Sequence, residues 1–267
     1  MTKFLTNRWV HILIFLGLLC VALAVRMQDY NWSKSLRYLA FDEFNNLKPR
    51  PQSDEVVIVD IDETSMARDN LGQWPWSRDM LADLVTNLSA MGAKAIVFDM
   101  VFAEQDRTSP QALLGRLGHS EDMQEVEQVL QEFPDHDQSF ADAIRNSERT
   151  VTAFIWSGNK EATRRKPVLT QPVLMTKQAR ELADTVPAII GVVTNIPELS
   201  KAAAGNGSFG VSPEIDGIIR RVPLLFSFYD PERKTAPIVY PSLAAEALRV
   251  SQGPKTLTKI RTIRPEE

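Results

Sequence analysis

Cysteine is nearly missing from this chain: Cys20 is the only one in 267 residues, and it lies inside an apolar stretch. That excludes a disulfide framework and a sulfur-based zinc site. Histidine is scarce too, with His11, His119 and His136 far apart and none at ligand spacing from another. Positive charge is not in excess: 30 Lys and Arg stand against 34 Asp and Glu, a formal net charge of -4. A nucleic-acid binder needs a concentrated cationic face to release phosphate counterions, so no nucleic-acid partner is expected. The sequence also has no phosphate-cradling GxxxxGK[ST], no GxSxG and no HExxH, which leaves nucleotide-driven and hydrolytic chemistry without a carrier. Neither an internal repeat nor a low-complexity tract is present. What remains is an ordinary globular composition of 44% hydrophobic, 24% charged and 8% aromatic residues, long enough to bury a full core as one or two domains.

A nearly unbroken apolar run goes from Trp9 to Val25, preceded by Lys3 and Arg8 and closed by Arg26. A spanning helix needs about 20 mostly apolar residues, and Trp9 and Arg26 suit the two interfaces. Two readings compete. The triplet Ala22-Leu23-Ala24 fits a cleaved signal peptide. The length of the run, with no polar region before that point, favours a retained anchor. On either reading the chain beyond Arg26 is exported. Trp32, Leu36, Leu39 and Leu47 then recur at near-helical spacing among Lys34, Arg37, Asp42 and Glu43, the pattern of an amphipathic juxtamembrane helix. Lys48-Pro49-Arg50-Pro51 stops it and makes a linker.

The rest alternates strand and helix patterns. Val56–Asp62 is a β-branched run, the mark of a strand buried on both faces. Gly72-Gln73-Trp74-Pro75-Trp76 is a turn, and Ser77 is placed to cap a helix reaching Met91, with Gly92 ending it. Ala95–Val101 predicts the next buried strand, completing a βαβ unit whose strands run parallel. An acidic, exposed helical insertion extends to Gln131, Asp137–Ser147 is a helix with Phe140 and Ile144 inward, and Thr150–Trp156 and Ile189–Thr194 are further strands. Ser208–Val211 and Gly217–Tyr229 read as meander strands, Ser242–Val250 as a closing helix, and residues 255–264 as an edge strand or a basic tail. The expected fold class is α/β: a layered, mostly parallel sheet with an antiparallel edge, preceded by one N-terminal transmembrane helix. The expected parts are residues 1–27, a cytoplasmic start and signal anchor; 28–51, juxtamembrane helix and linker; 52–254, the extracytoplasmic domain; and 255–267, the tail.

Gly205-Asn206-Gly207-Ser208-Phe209-Gly210 matches the dinucleotide fingerprint in its letters. That motif needs a strand before it and a helix N-terminus after it, whereas here an alanine-rich helix precedes and Pro213 follows. A turn or bulge is the better reading. Asp60, Asp62 and Asp99 fall at or near the C-terminal ends of the predicted parallel strands, where open sheets place ligands. They suit a hard cation, or else they cap turns and pair with Arg78 and Arg107; capping and pairing is the preferred reading, and no metal is assigned. Trp74 and Trp76 flank a rigid proline beside Arg78, which makes either a ligand pocket or a plug over the sheet end, the plug being preferred. Arg220 follows the Asp216-Gly217 turn and suits an anion or a bridge to sheet carboxylates.

Taken in order, Val59-Asp60-Ile61-Asp62-Glu63-Thr64-Ser65, Gly72-Gln73-Trp74-Pro75-Trp76-Ser77-Arg78, Ala93-Lys94-Ala95-Ile96-Val97-Phe98-Asp99, the helix around Asp137–Ile144, and Gly207-Ser208-Phe209-Gly210 followed by Asp216-Gly217-Ile218-Ile219-Arg220-Arg221-Val222-Pro223-Leu224 resemble the second class of CHASE domain, the cyclases/histidine kinases associated sensory extracellular domain. The resemblance covers about Arg26 to Val250. It implies a receptor role rather than catalysis, outside a bacterial cytoplasmic membrane, with no catalytic residues to carry over and no cofactor. It also implies further spanning helices and an output module (a nucleotide cyclase, histidine kinase, diguanylate cyclase or serine/threonine kinase), which these 267 residues do not contain. The expected partners are the membrane, an extracytoplasmic ligand or stimulus of unspecified class, and a second copy in a homodimer. The ligand candidates Asp60, Asp62, Trp74, Trp76, Arg78, Asp99 and Arg220 rest on the residues, not on the family. Two other readings stand beside it: an exported, anchored binding or assembly protein with no signalling output, and a metal hydrolase built on the strand-end aspartates, which lacks ligands in recognisable spacing.

Overall fold

The structure, a computed structural model, describes residues 8–28, 30–49, 51, 53–117, 124–157, 166–170, 173–175, 185–228, 238–253 and 258–260. The chain divides into two units, the first made of Met1–Asp60 and Pro213–Arg220, the second of Ile61–Ser212 and Arg221–Glu267.

The first unit opens with α1 (Arg8–Gln28). Within it Trp9–Gln28, with a mean hydropathy of 2.4, is long and apolar enough to cross a membrane, and none of it is buried. Helix α2 (Asn31–Leu47) comes next, at the predicted place, and also buries no residue. The predicted strand Val56–Asp62 is corrected: no strand forms there, and Val56–Val59 are 59–87% exposed. A β-branched run carries strand preference, but a strand exists only where a second strand takes its backbone groups, and no described strand pairs with this one.

The second unit holds the core. Helix α3 (Arg78–Ala90) stops where Gly92 takes φ +88 and the Ala93 N–H bonds back to the Leu88 carbonyl. Strand β1 is only Ile96–Val97, shorter than Ala95–Val101. Helices α4 (Pro110–Leu117) and α5 (Gln124–Glu132) form the acidic insertion, with 118–123 outside the described residues. Helix α6 (His136–Ser147) packs on α3. Then come β2 (Thr150–Ser157), β3 (Val173–Met175), β4 (Ala188–Ile189), β5 (Gly191–Val193), α7 (Pro197–Ala202), β6 (Gly205–Ser208), β7 (Leu225–Phe228), β8 (Ile238–Pro241), α8 (Leu243–Ser251) and β9 (Thr258–Ile260).

Three sheets result. The main one centres on β2, whose first half lies between parallel neighbours β1 and β6 and whose end, Ile155–Ser157, pairs antiparallel with β5. A second joins β4 parallel to β7 and β7 antiparallel to β8; a third is the parallel pair β3 and β9. The fold is therefore mixed α/β with parallel and antiparallel pairing, as expected. Of the predicted meander, Gly217–Leu224 is not strand, and β7 begins at Leu225. Residues 255–257 and 261–264 of the predicted tail strand lie outside the described residues.

The main core is built from one face of α3 (Leu81, Val85), one of α6 (Phe140, Ala141, Ile144), and Ile96, Phe98, Phe102, Ile196 and Leu199. Phe98, Phe102 and Phe140 meet edge to face at 5.3–5.6 Å, the arrangement that ring quadrupoles prefer. On the other side α8 lies on β6, and this explains the glycines there. A Cβ on Gly207 would stand 2.6 Å from Leu243 Cα, and one on Gly210 would enter the Trp156 ring. The stretch is thus not the expected turn or bulge: Gly205–Ser208 is a fully buried strand, in which Gly207 admits the α8 backbone and Gly205 the Glu246 side chain rather than a pyrophosphate.

Candidate functional site

The turn before α3 folds locally. Gly72 adopts φ +78, which a Cβ would disfavour, and its carbonyl accepts a 2.8 Å hydrogen bond from the Trp76 indole. Trp74 and Trp76 pack edge to face at 5.6 Å, half-buried, against the α3/α6 core. The Trp74–Pro75 bond is cis.

Ser77 occupies the N-cap of α3 with extended backbone, yet its side chain makes no capping bond. The cap comes instead from Asp106, whose Oδ2 accepts the Arg78 N–H at 2.7 Å while its Oδ1 accepts the Thr108 N–H and hydroxyl, both at 2.8 Å. Burial works against the Asp106 carboxylate, but these bonds and a contact with His136 outweigh it and hold its pKa below the ordinary value. The Asp106 N–H in turn donates to Asp137 Oδ2 at 2.9 Å. Asp135 caps α6 by accepting the Asp137 and Gln138 N–H groups. One loop carboxylate thus joins the starts of two helices.

Arg78 lies within this junction. Its guanidinium is 4.3 Å over the Phe102 ring, and its Nε is 3.5 Å from Asp137 Oδ1 with side-chain exposures of 11% and 10%. Neither of those two atoms makes a hydrogen bond. Burial lowers the Arg78 pKa and raises that of Asp137, in each case overriding the attraction between them. The pair is desolvated but loosely joined, the geometry in which attraction compensates burial least well. His136 Nδ1 stands 3.3 Å from Asp106 and 3.8 Å from Asp79. Asp79, Asp106 and Asp137 against one guanidinium leave this end of the helices electronegative. Among the described residues no group of three His, Cys, Asp or Glu side chains could hold a metal ion.

A second junction belongs to the first unit. Arg220, its side chain 5% exposed, donates from Nε and Nη2 to Asp42 of α2 at 2.9 and 2.6 Å, and from Nη1 and Nη2 to Asp216 at 2.9 and 2.8 Å. The guanidinium lies 4.7 Å over the Tyr38 ring, and the Tyr38 hydroxyl donates to Glu214 at 2.6 Å. These bonds hold Asp42 and Asp216 below, and Arg220 above, their ordinary pKa values. The Pro213–Arg220 segment is thereby fastened to α2, through helix and turn carboxylates rather than sheet ones.

The sequence candidates do not form one site. Trp74, Trp76 and Arg78 come together. Asp60 and Asp99 are exposed, and Asp62 turns back to accept the Ser65 N–H and hydroxyl at 2.8 and 2.7 Å. Arg107 pairs with Glu104. The residues missed were Asp106, His136 and Asp137. A local signal existed for them: Asp106-Arg107-Thr108-Ser109-Pro110 and Asp135-His136-Asp137 both have the form of helix starts.

Compared with known proteins, residues 15–265 match a family model described as the CHASE2 domain. No curated protein and no solved structure matches the chain.

Proposed function

The chain belongs to the CHASE2 domain family, a family of sensory extracellular domains, and from that membership we propose that it is the extracytoplasmic input region of a bacterial signalling receptor. The single observation that carries this reading is the extent of the match, which begins inside the apolar helix α1 and runs through the whole mixed α/β unit. In this reading α1 anchors the chain in the inner membrane, the domain lies in the periplasm, and an output module (cyclase, histidine kinase, diguanylate cyclase or serine/threonine kinase) belongs to the same receptor. The stimulus acts at the electronegative junction of α3 and α6. A cationic group there competes with Arg78 for the Asp137 carboxylate. Occupancy thus changes how the two helices pack. A ligand shifts that packing only as far as it binds one arrangement better than the other.

Labelling of the full chain in intact cells tests the placement. With Cys20 replaced by serine and a single cysteine at exposed Asp69, a membrane-impermeant maleimide reacts once the outer membrane is permeabilised. Reaction only after the inner membrane is broken overturns the reading. Cysteines placed along Leu36–Leu47 test the sensing role. Their cross-linking pattern changes with extracellular pH, ionic strength or added solutes, and a pattern constant across all of them overturns it.

A further inference from the structure

Helix α2 has two unlike sides. Tyr38 and Asp42, one turn apart, are half-buried where the Pro213–Arg220 segment of the same unit is fastened. At about 3.6 residues per turn, the other side carries Trp32, Leu36, Leu39, Phe44 and Leu47, which are 57–72% exposed. An apolar stripe of this length on a surface marks a site of interaction. Its setting indicates the partner. Only Asp29 and Tyr30 separate α2 from Gln28, the end of the apolar helix α1, so a span by α1 holds the first turn of α2 at headgroup level. Tyr30 has φ -55 and ψ 147, which is not helical, so α2 does not prolong the α1 rod. Tyr30 and Trp32, both exposed, stack at 6.4 Å beside this break, the place of an interfacial aromatic belt. From Arg26 to Arg50 five basic residues stand against three acidic ones, in a chain of net charge -4, and one of the three, Asp42, is already engaged by Arg220. That local balance suits anionic phosphates.

We propose that α2 lies along the outer surface of the membrane that α1 spans, with its apolar stripe at the boundary between headgroups and acyl chains. The inference rests on the reading of α1 as the membrane anchor. Lipid is the occupant because the span itself brings that surface to the start of the stripe. Glu43 falls within the stripe and sets its depth. A carboxylate is stable among hydrated headgroups and costly in hydrocarbon, so the helix rests at the boundary and goes no deeper. The side that binds Pro213–Arg220 then faces away from the bilayer.

The full-length chain with Cys20→Ser is reconstituted in lipid nanodiscs with one nitroxide-labelled cysteine: L36C, A40C or L47C on the stripe, N45C on the opposite side, or L18C in α1. All five side chains are exposed, so labelling leaves the fold intact. Spin-label relaxation reads collisions with oxygen, which concentrates in lipid, and with a nickel chelate confined to water. Positions 36, 40 and 47 are expected to collide with oxygen in preference to nickel, and to similar degrees, while 45 shows the reverse ratio. Similarity decides orientation, since an upright helix would carry position 47 about 16 Å further from the bilayer than position 36. Every other pattern among the four overturns the proposal. Oxygen preference that fades from 36 to 47 means an upright helix, and nickel access at all four means a helix in water. Low collision rates with both reagents along the stripe mean that protein covers it, whether more of this chain or a second copy. L18C separates the proposal from its premise. Oxygen preference there, with none along α2, removes the surface helix and leaves the anchor standing; its absence there removes both.

Discussion

At the scale of single residues, Asp106 does what its neighbours cannot. It caps α3 in place of Ser77, orders its own turn through Thr108, and passes its N–H to Asp137. Replacing it with asparagine keeps the shape but turns an amide toward backbone donors and removes the charge that strengthens each bond. D106N is expected to lower the unfolding free energy by about 1–3 kcal/mol in urea titration, whereas S77A, which breaks no capping bond, changes it by less than about 0.5 kcal/mol. Equal losses would contradict the assignment of the cap. Arg220 tests the second junction. Lysine cannot reproduce the paired bonds to Asp42 and Asp216, so R220K is expected to quicken amide exchange across Glu214–Arg220 while leaving α3 and α6 protected.

At the scale of elements, two packings decide the second unit. Phe140 is fully buried between Phe98 and Phe102, so F140A should cost about 3–5 kcal/mol, the usual range for a vacated aromatic site. Strand β6 meets α8 through glycines of unequal tolerance. The Cβ of G207A would meet Leu243 backbone at 2.6 Å, which cannot yield without moving the helix; that of G205A would meet the Glu246 side chain, which can rotate at the loss of its bonds to Arg249. Both should destabilise by about 1–3 kcal/mol, G207A the more, and the reverse order in thermal melting would mean that α8 shifts freely. These packings also mark what could be read in advance. Helices α3 and α6 were legible because each is a periodic apolar face between recognisable ends, and β2 because its run is long. The glycines of β6 were not, since their need comes from a helix dozens of residues later. The candidate site divides in the same way. Trp74, Trp76 and Arg78 are visible as a local turn, whereas the carboxylates that meet Arg78 come from the loop after β1 (Asp106) and the first turn of α6 (Asp137), so the sequence points to strand-end Asp99 and not to Asp106, seven residues on. Val56–Asp62 shows the limit of propensity: the run specifies an extended backbone and is silent about its neighbour.

At the scale of the whole molecule, opposed ionisations set the response to acid. Asp42, Asp62, Asp106 and Asp216 have folded pKa values below the ordinary 3.8, and among the described residues Asp137 is the shifted carboxylate that lies above it. A lowered carboxylate contributes stability that is present above 3.8 and lost as pH falls through its folded value; a raised one contributes below 3.8, and that contribution is lost as pH rises through its folded value. Asp42, Asp62 and Asp216 are open to solvent, where screening reduces their weight, so Asp106 and Asp137 govern the balance. Stability should therefore fall on the acid side, as Asp106 takes up its proton below 3.8, and soften again on the way up, above 3.8, as Asp137 ionises beside the poorly bonded Arg78. D137N removes the upper step, since an asparagine has no charge to desolvate, but it also strips Arg78 of its counter-ion. Its curve should thus be lower throughout and lack the upper step, while D106N should lose the acid limb instead. Urea titrations of the full chain in detergent at half-unit pH intervals from 3 to 7 separate the two variants. An upper step that survives in D137N would show that another group controls how α3 and α6 meet.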